Sequence, residues 1–392
     1  MKTNHFAGCR QVPALGFRSI SRAFTHRRVW PIWLAVLTLG TALPVSAAVL
    51  ESNLAKVFTV KPGGELFMDV DRGSIEITTG DRADVSVEVK RRVTRGSLAH
   101  AQEVFARHEV TFDQDGDHVS VQARFKDDSG HWLSGGQNLE VEYHIAAPKQ
   151  FNFDLRTAAG DVSLTDVEGS LKARTSGGGL RFSNVQGPVE AMTSAGDIHL
   201  LGATGSVKVK TSGGAIEIGR LDADASVETS AGPIRVKTAK AKLNAKTSGG
   251  EIELSELGGP AEVVTSAGSI RVKVAQARLD AKTSGGEINI DDARDTVVAH
   301  SSAGAVRVLF SAQPHEDCRL TTSGGEIRVK LAKGLAFDLD AKTSGGQVST
   351  EVPVAAVVSG RQRNDELKGT INGGGKALSL KTSAGDISLL NP

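Results

Sequence analysis

The densest acidic cluster in the sequence is Asp291-Asp292-Ala293-Arg294-Asp295. Carboxylates gathered on the flank of a repetitive β scaffold are what a polysaccharide-cleaving enzyme needs, one carboxyl serving as acid and another as base or nucleophile. The cluster is read instead as a solvated turn in an acidic segment, because no aromatic platform for sugar rings accompanies it. Beyond the first 47 residues, Trp132 and Tyr143 are the only Trp and Tyr, and both precede the repeats described below. Asp161, Asp197 and Asp386 each follow a glycine directly and raise the question of calcium. Stacked Gly-rich turns bind that ion when an Asp lies inside Gly-Gly-x-Gly-x-Asp, and no turn in this chain has that order. Gly373-Gly374-Gly375-Lys376 fails as a phosphate loop, since Thr370 stands at the first glycine position and Ala377 replaces the Ser/Thr. The 10 histidines show no paired metal spacing, and His100 and His108, on a candidate helix, are expected at the surface. Lys90-Arg91-Arg92-Val93-Thr94-Arg95 is the one strong basic run, expected as a solvated edge strand; contact with anionic envelope glycans is its functional alternative. Catalytic, cofactor-binding and metal-binding residues are therefore assigned to none, no cofactor is expected, and the ligand-binding residues are unknown.

What these residues hang on is a repeat. A tetrad Thr-Ser-Gly-Gly or Thr-Ser-Ala-Gly, or a near variant of it, most often followed by x-Ile-x-Ile/Val, begins at Thr157, Thr175, Thr193, Thr211, Thr229, Thr247, Thr265, Thr283 and Ser301, at a constant interval of 18. The interval widens to 21 at Thr322 and Thr343, and a last tetrad starts at Thr382. Residues 352–375 break the pattern and are expected to bulge out as a loop. Val70-Asp71-Arg72-Gly73-Ser74-Ile75-Glu76-Ile77 reads as a divergent earlier copy. Within one unit, Glu251-Ile252-Glu253-Leu254 and Ala261-Glu262-Val263-Val264 alternate polar and apolar, as half-buried strands do. Gly-Gly-Pro at Gly258-Gly259-Pro260 supplies one turn, and the tetrad glycines are expected to supply positive φ at the other. No helix fits beside two strands in so short a unit. Stacked units of this kind form a parallel β-solenoid of about 18 residues per coil. Thr265 shares the face of Ala261 and Val263, so the Thr ladder points inward, where its hydroxyls can satisfy corner amides. That argues against a Thr array ordering ice.

Charge alternates along the repeats: −3 for Thr211–Glu228, +5 for Thr229–Lys246, −4 for Thr247–Val264, +3 for Thr265–Lys282 and −3 for Thr283–His300. With 18-residue coils, Glu217, Arg235, Glu253 and Arg271 stack as a ladder of opposite charges. With 36-residue coils like would stack on like, which is unfavourable. The shorter coil is preferred.

Residues 48–150 differ in texture and are expected as a β-rich region capping the solenoid of residues 151–392, because a solenoid end exposes unpaired strand edges. Its strands are expected around Phe58, Phe67, Val87 and Val121. One short helix is expected from Ser97, its cap, to His108, with Val104 and Phe105 inward.

Composition narrows the class. Lys+Arg 46 against Asp+Glu 45 removes the basic excess typical of a nucleic-acid binder. Hydrophobic residues at 39% and charged ones at 23% exclude a disordered chain and a polytopic membrane protein. Residues 1–47 carry six basic residues, no acidic one, an apolar run from Trp30 to Val45 and then Ser46-Ala47-Ala48. That is the order of a secretory signal peptide cleaved near Ala47 or Ala48. Its removal leaves 40 basic against 45 acidic residues, a formal charge of −5, and Cys318 as the sole cysteine, so no internal disulfide is expected.

The leader, the Gly73-Ser74-Ile75-Glu76-Ile77 strand and the Thr-Ser-Gly-Gly-x-Ile motif (Thr211 to Ile216, Thr247 to Ile252) together resemble a bacterial family of unknown function whose members are often labelled candidate adhesins. The resemblance implies a β-solenoid at the cell envelope and supplies no catalytic residues. The expected function is that of an exported, non-enzymatic, adhesin-like binding or structural protein, periplasmic or at the cell surface. Its partner would be an envelope glycan or protein, with no nucleic acid and no integral span after cleavage. An envelope-stress or assembly accessory, and a carbohydrate-active enzyme on a solenoid scaffold, are the alternatives.

Overall fold

In the computed structural model, residues 50–126, 138–356 and 364–392 are described; the expected leader and Trp132 lie outside them. Each repeat contributes one strand to each of two sheets. In the first sheet Leu180, Ile198, Ile216, Ile234, Ile252, Ile270 and Ile288 are successive parallel partners. In the second, Phe153, Leu171, Val189, Val207, Ala225, Leu243, Ala261 and Leu279 follow one another in the same way. Every partner lies one repeat interval from the last, so one coil is one repeat and the shorter coil is correct. The fold is the expected all-β parallel solenoid with a β-rich cap.

The alternation of side chains makes the core. Ile252, Leu254 and Leu257 from one sheet and Ala261 and Val263 from the other are all buried, while Glu253 and Glu262 stay at least partly exposed. At the corner without the tetrad a large and a small residue exchange sides in successive coils. Leu221 precedes Ala225, Ala239 precedes Leu243, Leu257 precedes Ala261 and Ala275 precedes Leu279, all of them buried. The pair keeps roughly one volume, as a core packed to near-crystalline density requires.

At the tetrad corner the threonines are buried, as parity predicts. The Thr247 hydroxyl accepts from the Gly250 amide of its own tetrad at 3.2 Å and donates to the Gly232 carbonyl of the preceding coil at 3.0 Å. Thr175, Thr193, Thr211, Thr229, Thr265, Thr283 and Ser301 each donate to the preceding coil's glycine in the same way. The glycines, however, serve a different purpose from the one expected. Of the tetrad glycines only Gly160 has positive φ, at +139°. The fourth position is glycine because the coils approach too closely for a side chain: a Cβ on Gly250 would lie 1.9 Å from the Gly232 carbonyl oxygen. At the third position there is room, with 3.4 Å from Gly249 to the nearest atom, and this is where alternate tetrads carry alanine.

Both ends of the stack depart from chain order. Strands Glu65–Val70 and Ser74–Gly80 form a coil that lies against Asn152–Thr157 and Val162–Leu164 on one side, as the divergent copy requires, and against His118–Phe125 and Leu139–Pro148 on the other. Beyond these the pairing turns antiparallel, through Asp84–Val93 and then Leu50–Thr59 in the first sheet and His108–Asp115 in the second. The helix Leu98–Arg107 is capped by the Ser97 side chain, with Ala101 and Val104 buried and Phe105 partly so. At the far end, the final coil (Lys376–Thr382, Ile387–Leu390) inserts between Cys318–Leu331 and Phe337–Thr350. The expected loop at 352–375 is in part structure: Glu366–Ile371 pairs antiparallel with Phe337–Thr343 and with Ala355–Ala356, covering that edge. Residues 357–363 lie outside the description. The second sheet is open, since among the described residues its terminal strands each have one partner.

Gly250→Ala is expected to lower unfolding stability by about 2–3 kcal/mol, the cost of forcing backbone apart. Gly249→Ala should be neutral or stabilising by up to about 1 kcal/mol through the unfolded state. Thr247→Val, which orphans one buried amide and one carbonyl, should cost about 1–3 kcal/mol. Urea denaturation of the three variants against the parent measures each.

Candidate functional site

Parity also decides what reaches the flank of the second sheet. The residue before each tetrad points outward, the tetrad threonine inward, and the tetrad's second residue lies on the exposed corner. In stack order the outward column reads Asp69, Arg156, Arg174, Met192, Lys210, Glu228, Lys246, Val264, Lys282 and His300. Beside it runs a row of exposed serines, Ser176, Ser194, Ser212, Ser230, Ser248, Ser266, Ser284 and Ser302. Their backbone carbonyls are used by the next coil, as when the Gly249 amide donates to Ser230 at 3.0 Å. Their hydroxyls have no partner among the described residues and remain available to a ligand.

Two shallow depressions lie along this line. One is walled by Asp69, Asp71, Arg124, Arg156, Arg174 and Ser176, the other by Lys210, Glu228, Ser230, Lys246, Ser248 and Ser266. In the first, each arginine already has an acid: Arg124 with Asp69, Arg156 with both oxygens of Asp154 at 3.1 and 2.9 Å, and Arg174 with Glu190 at 2.9 Å. In the second, Lys210 pairs with Glu228 at 3.2 Å, whereas Lys246 makes no ion pair among the described residues. Lys282, further along the column, likewise makes none.

The outer face of the first sheet is different. Glu217, Arg235, Glu253 and Arg271 stack as expected, with Arg235 at 3.3 Å from Glu217 and 3.0 Å from Glu253, and Arg271 at 3.5 Å from Glu253. This column neutralises itself, whereas Lys237 and Lys273, exposed on the same face, make no ion pair among the described residues.

The residues singled out in the sequence separate accordingly. Asp161, Asp197 and Asp386 hold the next coil by its backbone, accepting from the amides of Gly179 at 2.8 Å, Ala215 at 2.7 Å and Gln347 at 2.8 Å. The Gly179 amide, with help from Arg181, holds the Asp161 carboxyl below the ordinary carboxylate range. The acidic cluster spreads rather than converging: Asp291 accepts from Asn289, Asp292 pairs with Arg294 at 2.8 Å, and Asp295 binds His315 and the Thr296 amide. The basic run is not an edge strand, because Asp84–Val93 is paired on both sides. Arg92 is matched by Glu51 at 3.0 Å and Glu140 at 3.8 Å, and Arg91 turns inward and is buried. Cys318 is buried, and that burial pushes its thiol up to about 11, away from reactivity.

A family model, Toastrack DUF4097, matches residues 64–303 and again 295–390. The chain belongs to the Toastrack DUF4097 family. Three solved structures are similar to it: a candidate adhesin from Bacteroides fragilis NCTC 9343 (14% identity, 71% of this chain and 97% of that one, TM-score 0.28), a candidate cell adhesion protein from Clostridium sporogenes ATCC 15579 (11%, 87% and 100%, 0.17), and a candidate lipid-binding protein from Parabacteroides distasonis ATCC 8503 (14%, 86% and 96%, 0.26). No curated protein matches the chain.

In this Toastrack protein the capped end holds a buried polar group that the sequence did not disclose. His108, expected at the surface, is 1% exposed, and its two ring nitrogens have no hydrogen-bond partner. It faces Asp71 at 4.0 Å, with Arg91, Arg72 and the unpartnered Tyr143 hydroxyl in the same cluster. Arg91 closes the helix over it by donating to the carbonyls of Phe105 at 3.2 Å and His108 at 3.1 Å. Burial lowers the His108 pKa to about 4, against partial support for its charge from Asp71. A single histidine with no neighbour of its own type gives sequence patterning nothing to detect. Because the folded form binds its proton less readily than the unfolded chain, stability is full above pH 6.5 and falls as pH drops through 6.5 toward 4. The expected loss is on the order of 3 kcal/mol. Denaturation curves between pH 7.5 and pH 4 should show this decline in the parent and a flatter one in His108→Leu.

Proposed function

We propose that this protein is an exported, non-enzymatic β-solenoid that binds an extended polymer of the bacterial cell envelope lengthwise, in an adhesin-like or structural role. The observation that carries the proposal is the flank of the second sheet. There, successive coils present the same two columns, one of exposed serine hydroxyls and one in which Lys or Arg holds five of ten positions, at an interval of about 4.7–4.9 Å. A compact ligand would use one or two coils, whereas a polymer uses the repetition itself. The leader of residues 1–47 and its Ser46-Ala47-Ala48 boundary support export. No helix among the described residues is long and apolar enough to cross a membrane. The acidic cluster at Asp291–Asp295 holds its own local partners, which supports binding over hydrolysis.

The proposal is tested by cell fractionation with an antibody to the chain, and by sedimentation of the purified chain with isolated envelopes. It should fractionate with the envelope or medium and co-sediment. Ser230→Trp and Ser248→Trp, which block the flank with exposed bulk, should abolish co-sedimentation while leaving the circular dichroism spectrum unchanged. Release of reducing sugar from envelope polysaccharide, or undiminished binding by both Trp variants, would overturn it.

A further inference from the structure

We infer that the polymer held on this flank is a linear acidic polysaccharide with one carboxylate per disaccharide. The inference rests on the proposed lengthwise binding and adds the ligand's chemistry. Lys210, Lys246 and Lys282 occupy the outward column on every second coil, with Glu228 and Val264 on the coils between. Two coils advance about 9.5 Å, close to the length of one disaccharide in an extended pyranose chain. A carboxylate on alternate sugars would meet Lys246 and Lys282 in turn and compete with Glu228 for Lys210, and the sugars between would pass Glu228 and Val264. The serine row runs alongside at every coil, Ser212 through Ser284, and offers each sugar a hydroxyl that both donates and accepts.

The alternation decides against other polyanions. A duplex nucleic acid carries a phosphate every ~3.4 Å along each strand, so its phosphates would crowd Glu228 and find no cation at Val264. A polymer with a carboxylate on every sugar would meet the same Glu228. Glu228 therefore acts as a filter on charge spacing, and its pairing with Lys210 at 3.2 Å holds it in the column. Lys246 and Lys282 make no ion pair among the described residues, so their ammonium groups are available to a new partner, whereas the Lys210 ammonium and the guanidinium groups of Arg156 and Arg174 are already paired.

The test uses the purified chain with hyaluronan as a linear polymer bearing one carboxylate per disaccharide, and with dextran, polygalacturonate and polyphosphate as comparators. Hyaluronan should bind in preference to all three, and the double variant Lys246→Gln/Lys282→Gln should weaken it about tenfold. Raising salt from about 50 to about 300 mM should weaken parental binding by a similar factor. Glu228→Gln should bind hyaluronan about threefold more tightly and gain affinity for polygalacturonate and polyphosphate. Equal or tighter binding of the parent to dextran, polygalacturonate or polyphosphate would overturn the inference, as would indifference of hyaluronan binding to the lysine substitutions. If Ser248→Trp still abolishes envelope binding in that case, the flank reading stands and only the ligand class falls. If Ser230→Trp and Ser248→Trp both leave envelope binding intact, both fall.

Discussion

The structure depends on how closely one coil can lie on the next at the tetrad corner. There the backbone of each coil rests on the carbonyl of the one before, near enough that a single added methyl on Gly250 would overlap the Gly232 oxygen. Backbone packed that tightly leaves an amide and a carbonyl out of reach of water, and each must find a partner. The threonine hydroxyl answers both, accepting within its own coil and donating to the previous one. A hydroxyl on a short β-branched stem reaches inward and is held in one rotamer. Where serine replaces it, at Ser301, both bonds are kept.

From that contact the rest follows by translation. Fixing one corner sets the register of both strands, so apolar side chains stack on apolar ones inside, and outward columns inherit whatever the sequence places there. On the first sheet one column alternates in charge and cancels through the Glu217 to Arg271 ladder. On the second sheet the column at the serine corner keeps a surplus of cations, although residues 48–392 carry a net formal charge of −5. The alternation in charge and in Leu/Ala order is thus a second period, two coils long, laid over the single-coil repeat. It supplies opposite charges to neighbouring coils in one column and cations on alternate coils in others.

Much of this was legible from the residues alone. The interval of 18, the inward threonine and the charge ladder were read from parity and spacing, and the register agrees with each. The fourth glycine was legible as a requirement but not for its cause: closeness to another coil leaves the same mark in a sequence as positive φ does. The basic run at Lys90 was misplaced because an edge strand and a doubly paired strand share one local pattern, and only the neighbours of Asp84–Val93 tell them apart. His108 was missed for the same reason, since its burial is made by Arg91, Asp71 and a helix that no periodicity links to it. Of the flank, parity places the tetrad serines opposite the inward threonines, but only the register lines the lysines up beside them.

The sequence by itself determined the coil, its length, its two faces and its core, because in a solenoid every essential contact recurs at one short separation along the chain. A repeated local rule is what a linear sequence can state. The order of the ends was decided by the tertiary structure. The coil at Glu65–Gly80 lies between segments that follow it, and the coil at Lys376–Leu390 slips between two that precede it. Nothing in the tetrad at Thr382 distinguishes stacking on Gly325 from stacking on Gly346. Its hydroxyl chooses Gly325, and Thr343 takes Gly385 in turn. Exposed strand edges at each end must be covered, and which segment covers them is a choice among distant alternatives that share the same local pattern.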